Sequence, residues 1–285
     1  MSDPLAFLLQ RFELKARVFH AGNLCTLVNF DAVEGVGHLH LLKAGTLDLI
    51  RSDGSVRHLN EPSLLFFPRS ANHRIRADEQ AGADLICASV QFGAQLGNPL
   101  INGLPELMVI PLRELPQMAA VLDALFSEAF SPATGRDAAL DRLSEVVLIY
   151  LLRHALAQGA LQSGVLAGLA DPRLAKALSL MHAEPATDWS LEQLAEAAGM
   201  SRARFAAHFA EIVGTPPGDY LAGWRIKLAM GLLLRGRQVK TIADEVGYGS
   251  ANALTRAFGQ RTGMTPTEWL QQQTGRSAEP QAAAG

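Results

Sequence analysis

Short apolar runs separated by turn residues fill the first hundred positions of the chain, and the rest follows a different rhythm. The runs 23–30 (NLCTLVNF), 37–50 (GHLHLLKAGTLDLI), 55–60 (SVRHLN), 63–68 (SLLFFP), 73–77 (HRIRA) and 84–93 (DLICASVQFG) are rich in β-formers. Turn signals punctuate them, above all RSDG at 51–54, whose Asp-Gly pair favours a tight hairpin. Closely spaced strands with little helical period predict a small sandwich or barrel. After about residue 115 apolar positions recur every three or four residues, through 117–130 and 137–158, which predicts amphipathic helices. Leu140, Leu143, Val147, Leu151 and His154 form one stripe of the second helix, suited equally to a coiled-coil seam and to intramolecular core. Residues 159–170 are small and glycine-rich and read as a linker, after which Asp171-Pro172 reads as an N-cap with proline at the first helical position. The fold class expected is α+β: a β domain over 1–115, helices and linker over 116–170, an all-helical domain over 171–272, and a disordered tail over 273–285.

The helical domain contains a repeat. LAEAAGMSRARFAAHFAEIVGTPPGDYL at 194–221 lies over IADEVGYGSANALTRAFGQRTGMTPTEWL at 242–270. Gly199 matches Gly247, Ser201 matches Ser250, Phe205 and Phe209 match Leu254 and Phe258, and Tyr220 matches Trp269. Each copy reads as helix, glycine turn, serine N-cap, helix, which is a helix-turn-helix. The paired apolar residues at i and i+4 must face inward. That leaves Arg202, Ala203, Arg204, Ala206 and Ala207 outward in one helix, and Ser250, Asn252, Thr255 and Arg256 in the other. Arginine can take guanine edges or phosphates, asparagine takes adenine, and threonine or alanine lies against a thymine methyl. These are the candidate DNA-binding residues, and double-stranded DNA is the expected partner. Residues 220–236 read as one helix setting the distance between the copies.

Composition sharpens this picture. The net charge of −3 argues against nucleic acid only until it is divided: residues 201–262 carry nine Lys/Arg against four Asp/Glu, a local +5. No apolar run approaches the ~20 residues of a membrane span, and the N-terminus lacks the pattern of a secretory signal, so a cytoplasmic protein with no membrane partner is expected. Two cysteines, Cys25 and Cys87, are too few for a disulfide framework.

Lys227 to Pro266, with IADEVGYGS, LTRAF and GMTP, resembles the signature of AraC/XylS-type transcriptional regulators. The resemblance implies sequence-specific DNA binding near promoters, contact with RNA polymerase, usually as an activator, and a homodimer formed through the helices over 117–158. The first recognition helix departs from the family pattern through its alanines at 203, 206 and 207, so specificity is expected to lean on the second. The β region resembles a cupin, with His38, His40 and Gly45 in a first motif and PRSANH at 68–73 in a second. More narrowly it is similar to the cupin-type subgroup that includes the reactive-chlorine-sensing regulators, through His40, His73 and Cys87. Lys43 and Ala44 stand where metal-dependent cupin enzymes usually carry a glutamate, so no enzyme is expected and no catalytic residue is assigned. Cys25, His40, His73 and Cys87 are the candidate metal ligands, a set suited to zinc if the barrel gathers them. Cys25 and Cys87 are also the candidate redox pair, and a small organic ligand inside the barrel is the competing signal.

Overall fold

The computed structural model describes residues 4–11, 14–93, 101, 103–158 and 163–276. The chain divides into two compact units: 12–170, and 171–285 together with residues 1–11.

In the first unit, β1 (Leu14–Leu24), β3 (Val36–Gly45), β6 (Ser63–Phe67), β8 (Ala83–Phe92) and β9 (Met108–Pro111) form a five-stranded sheet in the order β1-β8-β3-β6-β9. A second sheet has the order β2-β7-β4-β5, from β2 (Leu27–Phe30), β4 (Leu47–Arg51), β5 (Val56–Leu59) and β7 (His73–Ala77). The strands are hydrogen-bonded as two sheets and not as one continuous closed barrel. β7 shows why the sheets enclose a core: His73, Ile75 and Ala77 are buried while Arg74 and Arg76 alternate outward. Leu42, Leu49, Leu65, Phe67, Ile75, Leu85 and Cys87 belong to one apolar cluster. The run 37–50 is two strands, because Gly45 turns the backbone at φ +88° where a Cβ would meet the Gly82 carbonyl. Helix α3 (Arg136–Ala157) packs on β1 and on α2 (Ala119–Ala129). Leu140, Val147 and Leu151 of the expected stripe are buried within the unit, which decides for intramolecular core; Val146 is the large apolar residue of α3 left exposed. The presumed linker is half helix: α4 (Val165–Ala170) buries Val165 and Leu166, and residues 159–162 lie outside the described residues.

The second unit is all helix: α1 (Pro4–Arg11), α5 (Leu174–Ala183), α6 (Leu191–Ala197), α7 (Arg202–Val213), α8 (Pro217–Leu234), α9 (Val239–Glu245), α10 (Ala251–Thr262) and α11 (Pro266–Arg276). α5 begins later than expected, at Leu174, but Asp171 still caps it by accepting from the Arg173 and Leu174 amides. α11 runs four residues into the stretch expected to be a tail, and 277–285 lie outside the described residues. α8 packs on α7, α9, α10 and α11 and so serves both copies of the repeat.

Candidate nucleic-acid interface and imidazole cluster

Each copy of the repeat folds as helix, turn, helix: α6 to α7 and α9 to α10. The matched glycines take the same left-handed turn, Gly199 at φ +64° and Gly247 at φ +83°. Phe205, Phe209, Leu254 and Phe258 are all buried. The T-shaped ring contacts Phe209–Tyr220 and Phe258–Trp269 repeat the same anchor at 5.6 and 5.9 Å. With these faces fixed inward, Arg202, Ala203, Arg204 and Ala207 are exposed on α7 and Ala206 is half-buried. On α10, Asn252 and Arg256 are exposed and Thr255 is half-buried. Two differences within the list matter. Arg202 is already paired with Glu192 at 3.0 Å, whereas Arg204, Asn252 and Arg256 have no such partner among the described residues. Ser250 caps α10 through its hydroxyl, which accepts from the Ala253 amide at 3.2 Å, while Ser201 precedes α7 without a side-chain cap bond.

In the β unit, His40 of β3 and His73 of β7 reach across from opposite sheets until their Nε2 atoms lie 2.9 Å apart. His73 is stacked between Phe30 and Phe67, with centroids at 4.9 and 4.0 Å, and His38 stands 5.3 Å from it edge-on. The proton positions follow from the neighbours. The Ala71 carbonyl, 3.0 Å from His73 Nδ1, can only accept, so Nδ1 carries the proton and Nε2 of the neutral ring is an acceptor. His40 Nε2–H therefore donates, and His40 Nδ1 is left buried without a hydrogen-bond partner. Burial draws the His73 pKa from 6.5 to about 4; the Ala71 carbonyl opposes that shift and His38 adds to it. His40 is held well below 6.5 by burial first, then by His73 and His38. The cluster is thus a set of neutral imidazoles in an aromatic box.

Beside it a cleft of about 400 Å³ opens between β2, β4 and β7, with Phe30, Asp31, Arg51, Asn72, His73 and Arg74 in its lining. Arg51 is held by Glu106 at 2.8 Å, while Arg74 has no ion pair among the described residues.

With that geometry in place, residues 3–157 match the family described as Cupin, and residues 194–272 match a helix-turn-helix domain. An AraC-like transcription regulator of Streptomyces lividans is 34% identical over 300 residues, covering 96% of this chain and 98% of the relative. The chain belongs to the AraC family of transcriptional regulators and carries a cupin domain. The RCS-specific HTH-type transcriptional activator RclR of Escherichia coli K12 is 27% identical to this regulator over 81% of the chain and 82% of its own length. ToxT of Vibrio cholerae O395 aligns with the regulator at a TM-score of 0.40 and 14% identity, over 92% of this chain and 97% of that one.

One expectation for the regulator's β unit fails. Among the described residues no three His, Cys, Asp or Glu side chains are gathered as a metal-holding set, and of Cys25, His40, His73 and Cys87 only the two histidines meet nitrogen to nitrogen. Strand register gives the reason. Cys87 lies opposite His40 on β3 and His20 on β1, whereas Cys25 follows Leu24, the partner of Ala83. Four positions along β8 separate those points, about 13 Å at roughly 3.3 Å per residue. A disulfide needs Cα atoms within about 7 Å, so the two sulfurs cannot bond directly in this fold. Their environments differ as well. Cys25 is exposed and donates to Asn23 Oδ1 at 2.8 Å, whereas burial pushes the Cys87 thiol far up, opposite to an activated thiolate. The zinc site and the Cys25–Cys87 redox pair therefore do not fit this arrangement. Lys43, in the place of the enzymes' glutamate, points elsewhere and sets its ammonium 4.3 Å from the centroid of the Phe130 ring. Sequence reasoning did not single out Phe30, Phe67 or Arg74; the alternation of HRIRA places Arg74 outward, but only the strand pairing brings the rings to His73.

Proposed function

We propose that the protein binds a specific duplex DNA site through α7 and α10 entering successive major grooves, and that its β unit takes the signal that governs transcription. The observation that carries the first part is the pair of solvent-facing helices held inward by matched aromatic anchors, with Arg204, Asn252 and Arg256 open to solvent. The reading contains no catalytic step. It places the protein in the cytoplasm with the chromosome; a homodimeric working form and contact with RNA polymerase rest on the family resemblance. Selection of the full-length protein against randomised duplexes is expected to yield one enriched sequence whose affinity falls steeply with salt, as released counterions require. Enrichment of nothing above the starting pool sinks the proposal.

For the signal, the cleft beside His73 favours a small organic anion over an oxidant. Phe30 supplies an apolar wall, Arg74 a cation with no ion pair among the described residues, and Arg51 a second cation against the single carboxylate of the lining, Asp31, while the Cys25–Cys87 pair is separated. A panel of aliphatic and aromatic monocarboxylates should include one that stabilises the full chain, by about 2.7 kcal/mol at a hundred times its Kd, and Arg74→Ala should abolish that shift. If no carboxylate moves the melting curve and hypochlorite changes DNA binding in wild type but not in Cys25→Ser, the oxidant reading replaces it.

A further inference from the structure

The two helix-turn-helix units are joined covalently only through α8, and a connection of that kind leaves an angle undetermined. α9 and α10 hang from the end of α8 by the turn 235–238, where Gly236 sits at φ +76° and the residues are exposed. The unit also packs on α8 through α9, α10 and α11, and Arg261 of α10 donates to the Asp219 carbonyl at 3.1 Å, so a change of angle at the turn is a repacking on α8. Its other end is pinned. Arg225, near the middle of α8, spreads its guanidinium over three carbonyls: Nε donates to Pro185 at 2.7 Å, Nη2 to Thr187 at 3.0 Å and Nη1 to Gly247 at 3.2 Å.

Pro185 and Thr187 belong to the loop that leads into α6, and Gly247 is the turn glycine between α9 and α10. One side chain thus grips the first unit at its entry and the second just ahead of its recognition helix. The backbones also touch at this point. A Cβ on Gly247 would come within 2.7 Å of Ala186 Cα, so glycine is required for the approach as well as for its positive φ. Tyr248 adds its ring beneath the guanidinium, 5.8 Å from centroid to Cζ. Carbonyl oxygens accept and cannot donate, and arginine's planar fork offers donors in fixed directions; lysine, with a single nitrogen, cannot span the same three oxygens.

We infer that Arg225 is the positioning residue that sets the spacing and rotation between the two recognition helices, and so fixes the distance between the two half-sites the protein accepts on DNA. The inference rests on the proposed DNA-binding function. Arg225 touches no base in this account; it acts through the turn at Gly247. Its loss should leave each helix able to read its own half-site while letting the second unit shift its packing on α8 about the turn 235–238.

The test uses the full-length chain and a set of duplexes carrying the selected site with base pairs inserted or removed between its halves. Each inserted pair moves the second half-site by about 3.4 Å and turns it by about 35°. Wild type should lose roughly tenfold or more in affinity per step away from the best spacing, while Arg225→Met should lose less than about threefold and so accept several spacings. Arg225→Lys, which keeps the charge but not the fork, should behave like Arg225→Met; this separates positioning from a contribution of charge to phosphate binding. Should Arg225→Met fail to give a wild-type circular dichroism spectrum, Arg225→Lys and Arg225→Gln carry the measurement. A folded variant with the sharp spacing preference of wild type overturns the inference. A wild type that selects no sequence overturns instead the function on which it rests, so the two failures are told apart.

Discussion

The two recognition helices are built to one plan and finished differently. α7 is tied down by polar bonds: Arg202 to Glu192 at 3.0 Å, and His208 to Asp171 at 2.7 Å, the same aspartate that caps α5. Behind it lies a buried imidazole, His182, 2.6 Å from the Tyr220 hydroxyl and tilted against Trp224 with ring centroids 4.1 Å apart. α10 has one such tie, at its far end, where Arg261 donates to the Asp219 carbonyl at 3.1 Å and lies 3.5 Å from its carboxylate. Its serine cap is complete, Trp269 replaces Tyr220 behind it, and Asn252 and Arg256 are left open. The copies thus differ along their outward faces: the first engages Arg202 with Glu192 at the start of its helix, and the second leaves Asn252 and Arg256 without such a partner among the described residues.

The largest expected consequence is in acid, and it falls on the first copy. Burial draws His182 from 6.5 to about 3, so the folded protein stays neutral there while the unfolded chain takes up a proton near 6.5. The unfolded state therefore binds more protons between those values. Stability from this group is complete above pH 6.5 and is lost as the pH falls from 6.5 towards 3, by about 2 kcal/mol at pH 5. Trp189, Trp224 and Trp269 all lie in the helical unit, so tryptophan fluorescence in urea reports that unit alone. Wild type should show a lower midpoint at pH 5 than at pH 7.5, and His182→Leu should remove most of the difference. Equal pH dependence in the two proteins would dissolve this part of the contrast between the copies.

How much of this was legible beforehand depends on the range of the interactions. The repeat was readable because its determinants are local: a glycine that turns left-handed, a serine cap, and apolar residues at i and i+4. Strand order was not readable, because pairing depends on residues far apart in sequence. β1 and β9 were missed, and so was α1. The same limit explains the sensor half. His40 and His73 were named only as members of a four-residue set, and it is the strand pairing that brings their Nε2 atoms to 2.9 Å. Cys25 and Cys87 were wrongly grouped, since only the register of β1 on β8 reveals the gap between them. Arg225 was counted as one of nine basic residues, and nothing in its neighbours, WRIK, shows that its targets are three carbonyls from two distant turns.

A smaller effect tests the comparison on DNA itself. Asn252 and Arg256 are exposed and unengaged, so replacing either with alanine should remove a base contact. The expected loss is about 1–3 kcal/mol of discrimination at one position of the site, with binding to random DNA little changed. Arg202 begins from a different state. Its exposed pair with Glu192 contributes roughly 0–1 kcal/mol, and forming a base contact would require giving it up. Arg202→Ala should therefore weaken all sequences alike and lower the slope of log affinity against log salt by about 1, the mark of a lost phosphate contact. Competition binding of the three variants against the selected site and single-base variants of it, at two salt concentrations, separates the roles. If Arg202→Ala changes which base is preferred and Arg256→Ala changes only the salt slope, the assignment of reading to the second helix and holding to the first is reversed, since the same fold unit offers no other basis for dividing them.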